Sequence, residues 1–367
     1  MRFTISREVL IKPLQLVAGV VERRHTLAVL ANILVSVKNG QLSLVGSDAE
    51  IEIVAKLPID SGLELGDTTV PAKKFLDICK SLPDGSSIDF TYDNNKVLVK
   101  SGRSKFTLST LPASDFPLMK AAEDDLAFHC QQKELRRLID RTGFAMAQQD
   151  VRYYLNGMLW EVRADSLRAV ATDGHRLAMC TRPLATDVVG LRQAILPRKA
   201  VLELSRLLQD SEDLAEVALG DNNIRVSAGG FTFTSKLVDG KFPDYERVLP
   251  VGGDKVVVGN RDDFKQAFVR TAILSNDKYR GVRFVVENGV LTITANNPEQ
   301  EEAEEQVFVE YEGDVLEVGF NVSYLLDVTQ VIEADSMSLT MADNNSSALI
   351  QDPNNNDSLY VVMPMRL

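Results

Sequence analysis

Cysteine is scarce in this chain, and its three residues, Cys79, Cys130 and Cys180, stand far apart with no C-x-x-C pair. Neither a disulfide framework nor a structural zinc site is supported, and the three are expected to behave as small buried hydrophobes. Histidine is equally rare, with only His25, His129 and His175. The motifs H-E-x-x-H, G-x-S-x-G and G-x-x-x-x-G-K-[ST] are missing, which removes common metalloprotease, hydrolase and nucleotide-binding signatures. No apolar run approaches the roughly 18 residues of a membrane helix. The opening "MRFTISREVLIKPLQ" lacks the apolar stretch and small-residue cleavage site of a signal peptide. A soluble, cytoplasmic protein without membrane partners is expected, with no metal and no cofactor.

What is there is a long, ordinary globular composition. The 367 residues, 45% hydrophobic and 25% charged, exceed the size at which one hydrophobic core keeps growing, so two or three domains are expected. The net charge of −12 argues, taken alone, against a polyanionic partner.

The domains are repeats. "NILVSVKNGQLSLVGSDAEIEIVAKL" from Asn32 lies over "NGMLWEVRADSLRAVATDGHRLAMCTR" from Asn156 and "GVRFVVENGVLTITANNPEQEEAEEQV" from Gly281. Each reads as two alternating strands about a turn, a polar elbow and a third strand. Asn39-Gly40 and Asn288-Gly289, flanked by alternating apolar residues, are strong hairpin signals, because a type I′ turn needs two residues tolerant of positive φ. The elbows at Asp48, Asp173 and Asn297 recur 125 and 124 residues apart. Helix-period segments open at Pro71, Pro197 and Asn321, and Phe106 is matched with Phe231. Further helix candidates, "SREVLIKPLQLVAGV", "QQKELRRLIDRTGFA" and "NRDDFKQAFVRTAIL", precede the hairpins, the first interrupted by Pro13. The expected fold class is therefore α+β: three tandem copies, over 1–124, 128–250 and 254–367, of a unit with two helices packed on antiparallel sheets.

Charge is distributed by element. In "KELRRLIDRTGF" the apolar Leu135, Leu138 and Ile139 follow helical spacing, and Lys133, Arg137 and Arg141 form the opposite stripe. Lys73, Lys74 and Lys80 surround Phe75, Ile78 and Leu82; Arg198, Lys199 and Arg206 flank Val201 and Leu204. Such a stripe on one helix is an ordinary solvated face, but its recurrence in an acidic protein suggests a basic lane for a phosphate backbone inside a repellent shell. Acidic charge gathers in the third copy at Glu299, Glu301, Glu302, Glu304 and Glu305, whereas the first copy carries Arg103 and Lys105 interleaved with Phe106 and Leu108, beside the helix bearing Lys74, Ile78 and Leu82. One acidic and one basic end suggest head-to-tail contact, which closes into a ring when the rotation per copy is right and hides the strand edges. Ile273 and Leu274, at the apolar end of a third-copy helix, join this set.

The stretch "AVATDGHRLAMCTR" mixes side chains used in metal and acid-base sites. Its Asp173-x-His175 is, however, the second copy's version of an elbow that the other copies build without histidine, so it reads as a corner of the sheet. Two alternatives stay open: a hydrolase centred on Asp173 and His175, and a three-repeat scaffold that binds no DNA.

The stretches "QDVRYYLNGML", "ATDGHRLA", "TSKLVDGKFPDY", "ITANNPEQEEAEE" and the terminal "VVMPMRL" resemble, with the whole chain, the bacterial β sliding clamps, the β subunits of DNA polymerase III. The resemblance implies a homodimeric, ring-forming, non-catalytic processivity factor whose six domains surround duplex DNA, helices inward, gripping it weakly enough to slide. It implies DNA contact from Arg24, Lys73, Gln149, Tyr153 and Tyr154, with Arg137 and Lys199 as further cations; the tyrosines suit stacking on bases of a primer-template single strand. It implies a pocket of Leu155, Thr172, Gly174, His175, Arg176, Leu177, Pro243, Arg247, Val248, Val361, Val362, Met363, Pro364 and Met365. The polymerase III α subunit, clamp-loader subunits, other DNA polymerases and repair proteins would dock a short peptide there.

Overall fold

The structure, a computed structural model, describes residues 1–22, 26–59, 64–119 and 126–366. The chain forms two compact units, Met1–Arg136 with Lys199–Leu237 and Arg137–Arg198 with Val238–Leu367. Among the described residues there are six helices, α1 (Arg7–Gly19), α2 (Ala72–Ser81), α3 (Gln132–Thr142), α4 (Arg198–Leu207), α5 (Arg261–Ala272) and α6 (Val322–Val331), and 24 strands. They follow one order three times: strand, helix, four strands, helix, three strands.

Local chemistry builds each piece. The side chain of Ser6 caps α1 by accepting from the Val9 N–H at 3.3 Å, satisfying an otherwise unpaired donor. The helix runs on through Pro13, because Leu10, Pro13, Leu14 and Val17 bury one face and packing outweighs the one hydrogen bond that proline removes. The Asn-Gly hairpins form as expected, with φ of 50° and 75° at Asn39-Gly40 and 49° and 78° at Asn288-Gly289, closing Lys38 onto Gln41 and Glu287 onto Val290.

The elbows are one motif used three times. Asp48 Oδ1 accepts from the N–H groups of Glu50 (2.9 Å) and Ile51 (2.7 Å); Asp173 Oδ1 accepts from those of His175 (2.9 Å) and Arg176 (3.0 Å); Asn297 Oδ1 accepts from that of Glu301 (2.9 Å). A short side-chain oxygen replaces the missing sheet partner where the chain turns.

Each unit holds one eight-stranded and one four-stranded antiparallel sheet. In the first, strands of the first and second copies join where Ile51–Pro58 pairs with Phe231–Lys236. In the second, the second and third copies join where Arg176–Pro183 pairs with Asn355–Val362. Both joints use the fourth strand of one copy and the eighth strand of the next. The four-stranded sheets end at Ser104–Ser109 in the first unit and Glu302–Phe308 in the second.

The ladders correct one sequence match. Phe106 stands opposite Val99, and Phe233, not Phe231, stands opposite the equivalent Val226. Phe106 and Phe233 are therefore counterparts, because the alternation of apolar residues hides a two-residue slip that hydrogen-bond register does not allow.

Aromatic rings fill the outer copies: Phe3 stacks on Phe90 at 4.7 Å, and Phe264, Phe268, Phe284 and Phe320 form a chain of ring contacts. Cys79, Cys130 and Cys180 are buried and form no disulfide. Burial pushes the Cys79 thiol up to about 12 and also raises that of Cys180, leaving almost no thiolate at neutral pH. Iodoacetamide at pH 8 should therefore leave Cys79 and Cys180 unmodified in the native protein over hours and label both in denaturant; rapid native labelling, read by mass spectrometry, would contradict this packing.

Candidate functional site

The second unit contains an apolar pocket of about 170 Å³. Its floor comes from alternate residues of the joined sheet, which is why Leu177 and Val361, directly paired across the joint, reach the same side. They pack with Leu159, Val170, Ile195, Phe242 and Tyr245. Leu155, from the turn after α3, and Pro243 and Val248, from the connection to the third copy, close its sides, and Met363 stands exposed at the rim.

The polar groups around it are held in place. The Tyr245 hydroxyl donates to Glu161 Oε2 at 2.6 Å and accepts from Arg168 Nη1 at 3.0 Å. Gln193 Nε2 donates to the other Glu161 oxygen at 2.8 Å. Burial and the neighbouring Glu161 push the Tyr245 phenol up to about 12, so it remains a neutral donor that fixes the wall. At the mouth, Arg152 grips Asp150 with Nε and Nη2 at 3.0 and 2.9 Å. These bonds hold the Asp150 carboxyl down at about 2.

Arg176 ties the elbow to this wall. It reaches Asp173 Oδ2 with Nε at 3.1 Å and the Phe144 carbonyl with Nη2 at 2.9 Å, and pairs with Asp327 through Nη1. Its guanidinium lies 4.5 Å from the Tyr324 ring centre and 5.2 Å from that of Phe144. Both oxygens of Asp173 are taken by the elbow N–H groups and Arg176, so Asp173 does not orient the His175 ring, which is 6.5 Å from the parallel Tyr324 ring. Asp173 is therefore not the orienting partner that a histidine base would need. Among the described residues, no group of three or more His, Cys, Asp or Glu could hold a metal ion, and no helix is long and apolar enough to cross a membrane.

Of the residues expected in the pocket, Leu155, Thr172, Gly174, His175, Arg176, Leu177, Pro243, Val248, Val361 and Met363 line it. Four do not. Val362, next along the strand, turns to the opposite, fully buried face. Met365 donates its N–H to the Gly319 carbonyl at 2.8 Å, which carries it and Pro364 away. Arg247 points outward and pairs with Asp244 at 2.7 Å. Arg152, Asp244 and Tyr245 line the pocket without having been expected; they sit inside "QDVRYYLNGML" and "KFPDY", but side-chain direction in such turns has no periodic signal.

The expected basic stripe of α3 is a second correction. Lys133 pairs with Glu212 at 2.6 Å, Arg137 with Asp357 at 3.4 Å, and the buried Arg141 with Glu333 at 2.7 Å. Lys199 pairs with Glu22 at 2.7 Å and with Asp48. Arg137 and Lys199 are thus not free cations, because long side chains fold onto carboxylates supplied by distant sequence. Lys73 and Gln149 are exposed, Gln149 with φ of 56°. Tyr153 is exposed and meets Tyr154 edge-on at 5.8 Å, while Tyr154 packs against the pocket cluster. Arg24 lies outside the described residues.

Of the residues expected at the joint between chains, Lys74, Arg103, Lys105, Glu299, Glu301, Glu302 and Glu304 are exposed, and Ile78, Phe106 and Leu274 are half-buried. Leu82 and Leu108 are buried in the first unit's own core, so they are not free apolar surface. Ile273 is 73% exposed, and so is Phe308, at 86%, which the sequence reading missed; a single apolar residue after a run of glutamates resembles any strand position.

Three copies of one helix-and-sheet unit, with sheets continued across each joint and an apolar pocket beside the second, define a tandem-repeat protein. Residues 1–120, 129–244 and 246–366 match the N-terminal, central and C-terminal domain families of the DNA polymerase III beta subunit. The chain belongs to the DNA polymerase III beta subunit family, that of the bacterial sliding clamps. It is 60% identical to the beta sliding clamp of Pseudomonas putida and 51% to that of Escherichia coli, over the full length of each. A crystal structure of the sliding clamp from Pseudomonas aeruginosa bound to griselimycin is 60% identical and superposes with a TM-score of 0.98, and one from Caulobacter crescentus, 37% identical, with 0.93; each comparison covers both chains completely.

Proposed function

We propose that two copies of this chain close into a ring around duplex DNA and tether DNA polymerases and other replication and repair proteins to it, without catalysing a reaction. One observation carries the reading. Each joint between copies pairs a fourth strand with the next copy's eighth strand, and this usage leaves one of each over: the fourth strand of the third copy, Glu302–Phe308, and the eighth of the first, Ser104–Ser109. A heterologous contact between those edges closes after two chains when the rotation allows and satisfies two open backbone edges. The repeats are taken as domains 1–124, 128–250 and 254–367.

Transferring the internal register gives the joint in detail. Phe233 pairs with Ile53, whose counterpart in the third copy is Ala303, so Phe106 would face Ala303 of the partner subunit. Lys105 would then face Glu304 of the partner subunit, an opposite-charge cross-strand pair.

Lys73, Gln149, Tyr153, Tyr154 and Arg24 are proposed to meet DNA, and the pocket to take a short peptide with bulky apolar anchors from the polymerase III α subunit, the clamp loader and other partners. Its apolar floor and its few fixed polar groups support this. A cytoplasmic location follows from the same role.

The test couples register to topology. Lys105→Cys with Glu304→Cys should oxidise to a covalent ring, whereas Lys105→Cys with Glu302→Cys, two positions away and beyond disulfide reach, should not. Loaded on nicked circular duplex, the oxidised ring should survive high salt and leave only when the DNA is cut. Release from intact circles would end the proposal.

A further inference from the structure

Two of the helix cations have carboxylates arranged in depth. Lys199 of α4 contacts Asp48, whose side chain is 5% exposed, and Glu22, whose side chain is 52% exposed. In the other unit, Arg137 of α3 meets Asp357, 14% exposed, at 3.4 Å and Glu333, 74% exposed, at 3.8 Å, and Arg141 meets the same Glu333 at 2.7 Å. The inner carboxylates are committed elsewhere too: Asp48 holds its elbow, and Asp357 accepts from Arg182 at 2.6 Å. An inner carboxylate therefore anchors the cation, while an outer one lies between that cation and solvent. The outer Lys199–Glu22 pair adds little stability, since exposed ion pairs are worth about 0–1 kcal/mol. The effect of the outer carboxylates is to fill the place where another anion would bind.

We propose that Glu22 and Glu333 are built-in substitutes for DNA phosphate, covering Lys199 and the Arg137–Arg141 pair so that duplex must displace a carboxylate at each contact. The inference deepens the clamp reading and rests on it. A phosphate that meets a bare cation releases condensed counterions and gains affinity. One that meets a covered cation exchanges one anion for another and gains little, so the ring is held in place by closure and remains free to move. Two unrelated sequence positions, each followed by its own inner carboxylate, give the same arrangement in the two units. The Lys133–Glu212 pair shows no inner carboxylate among the described residues.

The probe is a short linear duplex of mixed sequence, bound by the full-length dimer over a salt series, with mobility of the loaded clamp on nicked circular duplex as the second readout. Glu22→Gln with Glu333→Gln should bind the duplex about tenfold more tightly at low salt. Its log K should fall more steeply with log salt by roughly 4, near 0.9 for each of the four sites uncovered in the dimer, and it should diffuse more slowly once loaded. A charge-matched control, Glu287→Gln with Glu312→Gln, removes exposed carboxylates for which no ion pair is seen among the described residues, and should leave the slope unchanged. An unchanged slope in the first variant, or an equal rise in the control, overturns the covering role while wild-type retention on circles upholds the clamp. Wild-type protein that is not retained on circles overturns both.

Discussion

Replacing Ile273 and Phe308 together by aspartate is expected to turn the dimer into a folded monomer. Both side chains are largely exposed in the single chain, so aspartate opens no cavity, and thermal unfolding of the protomer should move by no more than a surface substitution's effect, within about 0.5 kcal/mol. In the proposed ring both lie at the joint beside the acidic strand. Each change then removes about 2 kcal/mol of apolar burial. The ring carries the joint twice, so association weakens by about 8 kcal/mol, near six powers of ten in the dissociation constant. Light scattering should give half the mass, and retention on circular duplex should vanish. A dimer of unchanged affinity would remove these residues from the joint; unfolding of the variant would show that they support the protomer's own core.

Arg176→Ala is expected to have the largest effect on a single unit. The side chain is mostly buried and holds Asp173, Asp327 and the Phe144 carbonyl while stacking against two rings. Its removal leaves two carboxylates and a carbonyl without their donor. Breaking a buried pair by deleting one partner costs about 3–5 kcal/mol, so the unit containing the second joint should unfold well before the other, as an early step in calorimetry. Because Arg176 also lines the pocket, affinity for an apolar peptide should fall with it, while Asp327→Asn, which keeps the rings and the elbow, should be milder. A single unshifted transition in Arg176→Ala would mean that this network adds nothing to the joint.

Much of the fold is legible because it is local. Asn39-Gly40 and Asn288-Gly289 demand their turns, and Asp48, Asp173 and Asn297 each complete an elbow with their own following N–H groups, so the information lies within four residues. The pocket was readable where it follows strand alternation, as at Leu177 and Val361. It was lost where one residue's shift reverses the side, as at Val362, or where a turn sets direction, as at Arg152 and Tyr245. The basic stripe of α3 was visible, but the carboxylates that neutralise it lie as far away as Glu333 and Asp357, and helical spacing holds no trace of them.

The sequence by itself determined the threefold repeat, the hairpins and elbows, the alternation that separates buried from open faces, and the absence of the common catalytic and metal-binding motifs. All of these follow from backbone preferences and from apolar residues recurring at fixed short intervals. Only the tertiary structure decided that Phe106 answers Phe233, that Leu82 and Leu108 are core while Ile273 and Phe308 are open, and that Lys199, Arg137 and Arg141 are spent on carboxylates. Those facts depend on which distant segments meet, and a long charged side chain takes the partner that the packed chain brings within reach.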